Sequence, residues 1–162
     1  MILYHGSNVE VREPKLLRSI RTLDFGAGFY TTLNREQAIE FARKVVDRND
    51  GSGSPTLNVY SLDEKTAFDL FDTIKFDAPN DAWLDFVVDN RRGMYEGPEY
   101  AIKYGPVAND NVYRTIQLYM MGDISREEAI ARFKVKRLFN QMVFSDPNAL
   151  RMLKFVESEV CV

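Results

Sequence analysis

Residues that form disulfides or hold metal ions are almost absent from this 162-residue chain. It has one cysteine, Cys161, and one histidine, His5. A single cysteine cannot form an internal disulfide, so we expect a reducing compartment. A zinc site normally needs several cysteine or histidine ligands together, so we expect no metal centre.

Long apolar runs and an excess of basic charge are also missing. No apolar stretch approaches the ~20 residues of a membrane span. The N-terminus lacks the basic segment and apolar run of a signal peptide. We therefore expect a cytoplasmic protein with no membrane partner. The net charge of −3 gives no support to a broad nucleic-acid-binding surface, which is normally basic.

Apolar and aromatic residues, by contrast, are plentiful. Hydrophobic residues make up 45% of the chain, with eleven phenylalanines and eight tyrosines. A chain of this length is most simply one domain, and it can bury a core without disulfides or metals. We expect a single domain over residues 1–162.

Turn residues and helix caps divide the chain into strands and helices without strict βαβ alternation, which favours an α+β fold. The Asn34–Gln37 stretch reads as a capping box, in which the Gln37 side chain reaches back to the N-cap. The predicted strands are Ile2–His5, Gly28–Thr32, Thr56–Leu62, Ala67–Phe71, Tyr100–Val107 and Phe139–Ser145, and Val9–Arg21 is a predicted loop. The predicted helices run from Asn34 to Arg48, Asn80 to Arg91, Val112 to Met121 and Ser125 to Phe133, and a last one starts at Asp146-Pro147.

Two short glycine-containing segments stand out. They are Leu3–Ser7, with the sequence Leu-Tyr-His-Gly-Ser, and Asp24–Thr32, with the sequence Asp-Phe-Gly-Ala-Gly-Phe-Tyr-Thr-Thr. Glycine within a strand pattern marks a bulge or a close approach of the backbone to something else. Because both segments also carry tyrosine, they predict a cleft for a flat, polar ligand.

At these residues the chain resembles the ADP-ribosyltransferase superfamily, in particular its His-Tyr branch, which includes the poly(ADP-ribose) polymerases and diphtheria-toxin-like enzymes. In that branch a strand ending His-Gly-Ser or His-Gly-Thr is followed by Gly-x-Gly-x-Tyr and by a helix with a second aromatic residue. Gly26–Tyr30 matches the second motif, and Phe41 lies where the second aromatic is expected. The chain resembles still more closely an uncharacterised bacterial family with Tyr-His-Gly-Ser and Asp-Phe-Gly-x-Gly-Phe-Tyr motifs. The resemblance implies a split, mostly antiparallel sheet with flanking helices around an NAD cleft.

The resemblance also implies which residues bind NAD as a co-substrate. His5 would bind a ribose hydroxyl, the Gly6 backbone would clamp the nicotinamide carboxamide, and Ser7 completes the motif. Nicotinamide would stack between Tyr30 and Phe41, and Gly28 belongs to the same cleft. His5, Tyr30 and Phe41 each also have a purely structural interpretation: a satisfied histidine, a tyrosine packed in a sheet, and a phenylalanine in a helix core.

Breaking the nicotinamide–ribose bond builds positive charge on the ribose, which a catalyst must stabilise. The family normally places a glutamate on a late strand for this purpose, and Gln141 occupies that position here. A glutamine can hold the ribose 2′-hydroxyl but brings no negative charge. Asp110 is the acidic residue best placed to supply it, although helix capping explains the Asn109–Asn111 segment equally well.

The leading hypothesis is therefore an NAD-dependent mono-ADP-ribosyltransferase. Its acceptor stays open between protein, nucleic acid and a small molecule. The resemblance also implies a bacterial toxin or defence effector with an antitoxin protein as partner. The alternatives are a non-catalytic module that binds NAD or ADP-ribose, which the substitution by Gln141 favours, and an interaction protein without the cleft.

Overall fold

The computed structural model describes residues 1–17 and 23–162. Its strands are β1 (Ile2–Ser7), β2 (Phe29–Thr32), β3 (Thr56–Ser61), β4 (Thr73–Lys75), β5 (Ile102–Pro106), β6 (Asn140–Phe144) and β7 (Lys154–Val160). Its helices are α1 (Arg35–Arg48), α2 (Glu64–Leu70), α3 (Asp81–Arg91), α4 (Asp110–Met120), α5 (Arg126–Lys134) and α6 (Pro147–Leu150). No helix within these ranges is both long and apolar enough to cross a membrane.

The strands form one open, seven-stranded sheet in the order β4-β5-β6-β2-β1-β3-β7. Every neighbouring pair is antiparallel except β4 and β5, which run parallel. The predicted α+β class and a mostly antiparallel sheet are thereby confirmed.

Helices cover both faces of the sheet. Alternate residues of each strand point to opposite faces, so neighbouring residues pack against different helices. On β6, Val143 packs with the core of α3, α4 and α5, whereas Met142 packs with residues of α2 and α6. On β3, Leu57 packs with α1. Register places these α1 contacts on the same face as Val143, which we call the front face. On it, α1 lies over β1 and β3, whereas α3, α4 and α5 pack with β6.

Most predicted elements are confirmed to within a few residues, but one prediction is wrong and two strands were not predicted. Ala67–Phe71 is predicted as a strand, yet residues 64–70 form α2, because the Asp63 side chain accepts the Thr66 backbone N–H as an N-cap. The last helix, α6, has four residues, and the chain then returns as β7, a strand that the sequence analysis missed together with β4. The predicted loop is irregular over residues 9–17, and its remainder lies outside the described residues.

Candidate functional site

The sheet opens between two inner strands, β1 and β2. β1 pairs with β3 at six positions but with β2 only at Tyr4, opposite Thr32. In an antiparallel ladder, successive residues direct their peptide groups alternately to the two neighbouring strands. The N–H and C=O groups of Met1 both bond to Leu62, which follows β3, so the odd-numbered residues of β1 face β3. The peptide groups of the even-numbered residues Tyr4 and Gly6 therefore face β2. The Gly6 peptide group therefore faces the gap where the two strands part.

Gly6 also has a structural reason to be glycine. A Cβ at this position would lie 2.7 Å from the Ala42 nitrogen and closer still to the Ala38 carbonyl oxygen, both in the α1 backbone. The missing side chain thus lets α1 pack directly on β1. A larger residue at position 6 would displace the helix, whatever the glycine does for a ligand.

His5 lies at the same gap as a neutral imidazole. Its Nδ1 is 2.7 Å from the Tyr30 carbonyl oxygen, so this nitrogen carries the proton and Nε2 is the acceptor. The ring stacks on Phe29 with centroids 4.2 Å apart. Burial lowers the pKa of His5, which the hydrogen bond to Tyr30 only partly opposes. A neutral histidine with an acceptor nitrogen suits a hydroxyl ligand. Ser7 follows at the end of β1, paired with Thr56.

The Tyr30 hydroxyl is occupied by the protein itself. It donates to the Gly26 carbonyl oxygen at 2.6 Å and accepts the Phe25 backbone N–H at 3.1 Å. Burial raises the pKa of this hydroxyl. The ring lies on the front face beside Val143, against the core. Tyr30 therefore fastens the turn that precedes β2, in addition to any stacking on a ligand.

That turn is held from several directions. Gly26 has a φ of 75°, and a Cβ on Gly28 would lie 2.6 Å from Val143 Cγ1. The backbone of Gly28 thus needs to approach β6 closely, which accounts for the glycine without a ligand. The Lys103 ammonium donates to the Phe25 carbonyl oxygen at 2.8 Å, and burial lowers its pKa.

Asp24, at the start of the turn, forms a buried ion pair with Arg91 of α3. Burial raises the pKa of Asp24, while Arg91 and a hydrogen bond from the Ala108 backbone oppose that rise. The Arg91 guanidinium also lies 4.0 Å from the centroid of the Tyr113 ring on α4. The pair therefore connects the turn to α3, to α4 and to the segment that leads into α4.

Gln141 lies on the front face of β6, directly opposite Thr32 of β2 and Gly105 of β5. Gln141 is buried, with only 5% of its surface exposed. Among the described residues, no hydrogen-bond acceptor meets its buried Nε2. A buried donor without a partner costs about 1–3 kcal/mol. An unmet donor of this kind marks a place where a ligand oxygen can bind.

Gln37 does not complete the predicted capping box. Asn34 accepts the Gln37 backbone N–H as expected, but the Gln37 side chain accepts the Thr32 hydroxyl at 2.6 Å. The Thr32 hydroxyl in turn accepts the Asn34 backbone N–H at 3.1 Å. The reciprocal bond of a capping box is thus replaced by a bond to β2. Gln37 therefore contacts Thr32, the residue that lies opposite Gln141 on the neighbouring strand.

Phe41 lies on the side of α1 that faces β2 and α4. A residue advances by 100° around a helix, so Gln37, Phe41 and Lys44 share one side. Gln37 contacts β2, and Lys44 reaches Asp110 of α4. The alternative interpretation of Phe41 as a residue of the helix core is not supported, because Phe41 is 45% exposed. Its ring is therefore available to a ligand between the two helices.

Asp110 occupies the rim rather than the floor of this region. It begins α4, two residues earlier than predicted, and Asn109 is the N-cap. Its carboxylate is 90% exposed and lies 3.0 Å from the Lys44 ammonium. The structure records no hydrogen bond between Asp110 and Gln141, so it does not join the two predicted catalytic residues directly.

Two cavities, of about 300 and 550 Å³, lie elsewhere in the molecule. The smaller lies between the end of α2, the segment before β5 and the start of α6, and the larger lies between the start of α3 and α5. None of the residues assigned to NAD lines either cavity. The exposed Lys44–Asp110 ion pair joins α1 to α4 at the rim of the region between these helices, and breaking such a pair costs about 0–1 kcal/mol.

Residues 1–155 match the model of a family described as a protein of unknown function, DUF3990. The chain belongs to the DUF3990 family. No curated protein and no solved structure matches it. In this DUF3990 member, Gly6, Tyr30 and Gln141 lie on the front face of the neighbouring strands β1, β2 and β6. The His5 ring does not share that face, because it stacks on Phe29, whose side chain lies on the opposite face.

The sequence analysis of this DUF3990 member missed three residues at the same place. Thr32 and Gln37 form a hydrogen-bonded pair beside Gln141, and Lys44 reaches across to α4. Gln37 and Lys44 lie four and three residues from Phe41, so they share its side of the helix. This spacing is the sequence signal from which both could have been predicted. Nothing in the sequence marks Thr32 as more than a strand residue.

Proposed function

We propose that this protein binds NAD between β1, β2, α1 and α4, cleaves the nicotinamide–ribose bond and transfers ADP-ribose to an acceptor. The observation that carries this proposal is the parting of β1 and β2 at His5 and Gly6. The Gly6 peptide group faces the gap, where a carboxamide needs one donor and one acceptor. His5 offers a neutral acceptor nitrogen at the same gap from the opposite face of the sheet, where its ring stacks on Phe29.

The surrounding residues support the remaining contacts of such a ligand. The partly exposed rings of Tyr30 and Phe41 offer apolar surfaces for nicotinamide, and stacking adds about 0.5–1.5 kcal/mol beyond area burial. Gln141 offers an amide for the ribose hydroxyl. The sheet order and the split between β1 and β2 suit the ADP-ribosyltransferase-like arrangement expected from the sequence. That arrangement, a cytoplasmic location and an antitoxin partner are parts of the same proposal.

A non-catalytic NAD or ADP-ribose binder is the second candidate. It is favoured by Gln141, which brings no charge, and by Asp110, whose carboxylate is exposed and paired with Lys44. Such a module would bind NAD without releasing nicotinamide.

The test combines NAD binding with nicotinamide release. His5→Phe keeps a ring on Phe29 but removes Nε2 and the bond to Tyr30, so Kd for NAD should rise about 5–30-fold, corresponding to ~1–2 kcal/mol. Gln117→Ala, on the exposed side of α4, is the control and should leave Kd unchanged. An unchanged Kd in folded His5→Phe, or no thermal shift with NAD in the wild type, would contradict the proposed site. Binding without release would decide for the second candidate.

A further inference from the structure

The larger of the two cavities has a volume of about 550 Å³ and contains none of the residues assigned to NAD. Its walls come from the start of α3, the end of β5, the start of β6, and the end of α5 with the segment that follows it. We call it the α3–α5 cavity. Its volume is in the range of pockets that hold small organic ligands.

The apolar part of its lining is held in place by the core. This part includes Pro106, Ile130, Phe133 and Leu138. The Phe133 ring packs edge-on against Trp83, with centroids 5.4 Å apart, and the Trp83 indole N–H donates to the Pro106 carbonyl oxygen at 3.0 Å. Trp83 and Phe133 are almost completely buried. The apolar wall is therefore preformed, so a ligand can contact it without first ordering it.

Two asparagines add hydrogen-bonding groups to the lining. The Asn80 side-chain oxygen accepts the Trp83 backbone N–H at 3.0 Å, which leaves the Asn80 amide nitrogen as a donor. Asn140 Nδ2 donates to the Tyr104 hydroxyl at 3.1 Å, which leaves the Asn140 side-chain oxygen as an acceptor. A few polar groups on an apolar wall are typical of a pocket for a small molecule.

The segment that closes the cavity is basic. Residues 129–145 contain four basic residues and no acidic one, although the net charge of the whole chain is −3. Lys134 and Lys136 line the cavity, and within residues 1–17 and 23–162 neither of them belongs to an ion pair. Their two positive charges are therefore available to a ligand.

Two carboxylates also line the cavity, Asp77 and Asp81. Asp81 is neutralised in part by Arg126, whose guanidinium lies 3.3 Å away. Asp77 forms no ion pair in the described part of the chain. Two ammonium groups thus outweigh one carboxylate, and the balance of charge favours an anion.

We infer that the α3–α5 cavity binds a small amphipathic anion, an organic molecule with an apolar body and one carboxylate or phosphate group. The body packs on Ile130, Phe133 and Leu138, and the anionic group lies near Lys134 and Lys136. The inference goes beyond the proposed function and does not depend on it, because the two sites share no residue.

Calorimetry on the wild-type protein tests this with one apolar body and four head groups. The probes are naphthylacetate, naphthyl phosphate, neutral naphthylacetamide and cationic naphthylethylamine. We expect one anion to bind per chain, about 5–30-fold more tightly than the amide, because each exposed ammonium group contributes only modestly. The amine should bind more weakly than the amide. The two anionic probes show which head group is preferred.

Charge variants test the two lysines. The double variant Lys134→Gln/Lys136→Gln should bind the anions about 5–30-fold more weakly and should keep its affinity for naphthylacetamide. The double variant Lys65→Gln/Lys154→Gln removes the same charge from exposed positions outside the cavity, so it should bind all the probes like the wild type.

A cavity-filling variant tests the location. Ala78 is exposed and lines the cavity, so the indole of Ala78→Trp should occupy the space and abolish binding of every probe. Ala82→Trp, at an exposed position of α3 outside the lining, is the control and should bind normally. If Ala78→Trp does not fold, the head-group comparison and the charge variants decide.

Each opposite result overturns a defined part of the inference. Absence of binding by all four probes overturns the site, and an amine that binds as tightly as the anions overturns its preference for an anion. Unchanged anion binding in the Lys134→Gln/Lys136→Gln variant overturns the role of the lysines. Normal binding in folded Ala78→Trp, or displacement of naphthylacetate by NAD, overturns the α3–α5 cavity as the place of binding.

Discussion

Removing the Tyr30 hydroxyl separates the structural from the ligand-binding role of this residue. Tyr30→Phe keeps the ring on the front face but deletes two hydrogen bonds, to the Gly26 carbonyl oxygen and from the Phe25 N–H. A typical net hydrogen bond contributes about 0.5–1.5 kcal/mol, and a buried group left without a partner costs about 1–3 kcal/mol. We therefore expect the free energy of unfolding to fall by about 2 kcal/mol.

This loss can be measured by urea denaturation and by thermal melting. For a protein of 150–250 residues, a change of about 1 kcal/mol shifts Tm by ~2–4 °C, so Tyr30→Phe should lower Tm by about 4–8 °C. Tyr4→Phe on β1 is the control, because the described residues contain no hydrogen-bond partner of the Tyr4 hydroxyl, and it should change stability by less than ~0.5 kcal/mol.

Tyr30→Phe and a second variant, Tyr30→Ala, together address NAD binding. Stacking depends on the ring, so folded Tyr30→Phe should bind NAD like the wild type while Tyr30→Ala should not. Unchanged stability in Tyr30→Phe would refute the hydrogen bonds that fasten the turn. Equal losses of NAD affinity in the two variants would refute stacking on the ring.

Three further perturbations test other parts of the site. Because burial lowers the pKa of His5, its neutral form stabilises the fold fully above the unfolded pKa of about 6.5. This contribution should be lost as the pH falls from there through the folded pKa, and the urea midpoint should fall with it. A urea midpoint that does not change with pH, or that falls equally in His5→Phe, would contradict this. Arg91→Met strands the buried Asp24 carboxylate and should destabilise by about 3–5 kcal/mol, with partial recovery in the double variant with Asp24→Asn, as urea denaturation would reveal. Asp110→Asn should leave nicotinamide release nearly unchanged, because its carboxylate is exposed; loss of release would instead assign Asp110 the stabilising charge.

The sequence was most informative where a local signal decides the structure. Caps at Asn34, Asn80 and Ser125 predicted three helices correctly, because each side chain accepts a backbone N–H of the first turn. A local signal was also available for α2 in the Asp63 cap, but the predicted strand at Ala67–Phe71 took no account of it.

Long-range pairing was beyond the sequence. β7 forms a strand because it pairs with the edge of β3, which lies almost a hundred residues earlier in the chain. Its own residues Glu157, Ser158 and Glu159 are polar, so they give little of the apolar pattern that predicts a strand. The contact of Gln37 with Thr32, likewise, depends on where α1 lies over β2. The exposure of Phe41 depends on the same placement, since its helical position alone suits a buried face equally well.

The glycines of the two motifs need a more careful interpretation than the resemblance alone gives them. Gly6 makes room for α1, Gly26 adopts a positive φ, and Gly28 makes room for β6, so all three would be required even without a ligand. A match at these positions is therefore an argument about the fold more than about chemistry. The argument for NAD depends instead on features that the packing of the fold does not require: the unpaired stretch between β1 and β2, the acceptor nitrogen of His5 and the unmet donor of Gln141. An unmet buried donor lowers stability, and a ligand oxygen that accepts from Gln141 Nε2 would offset that cost.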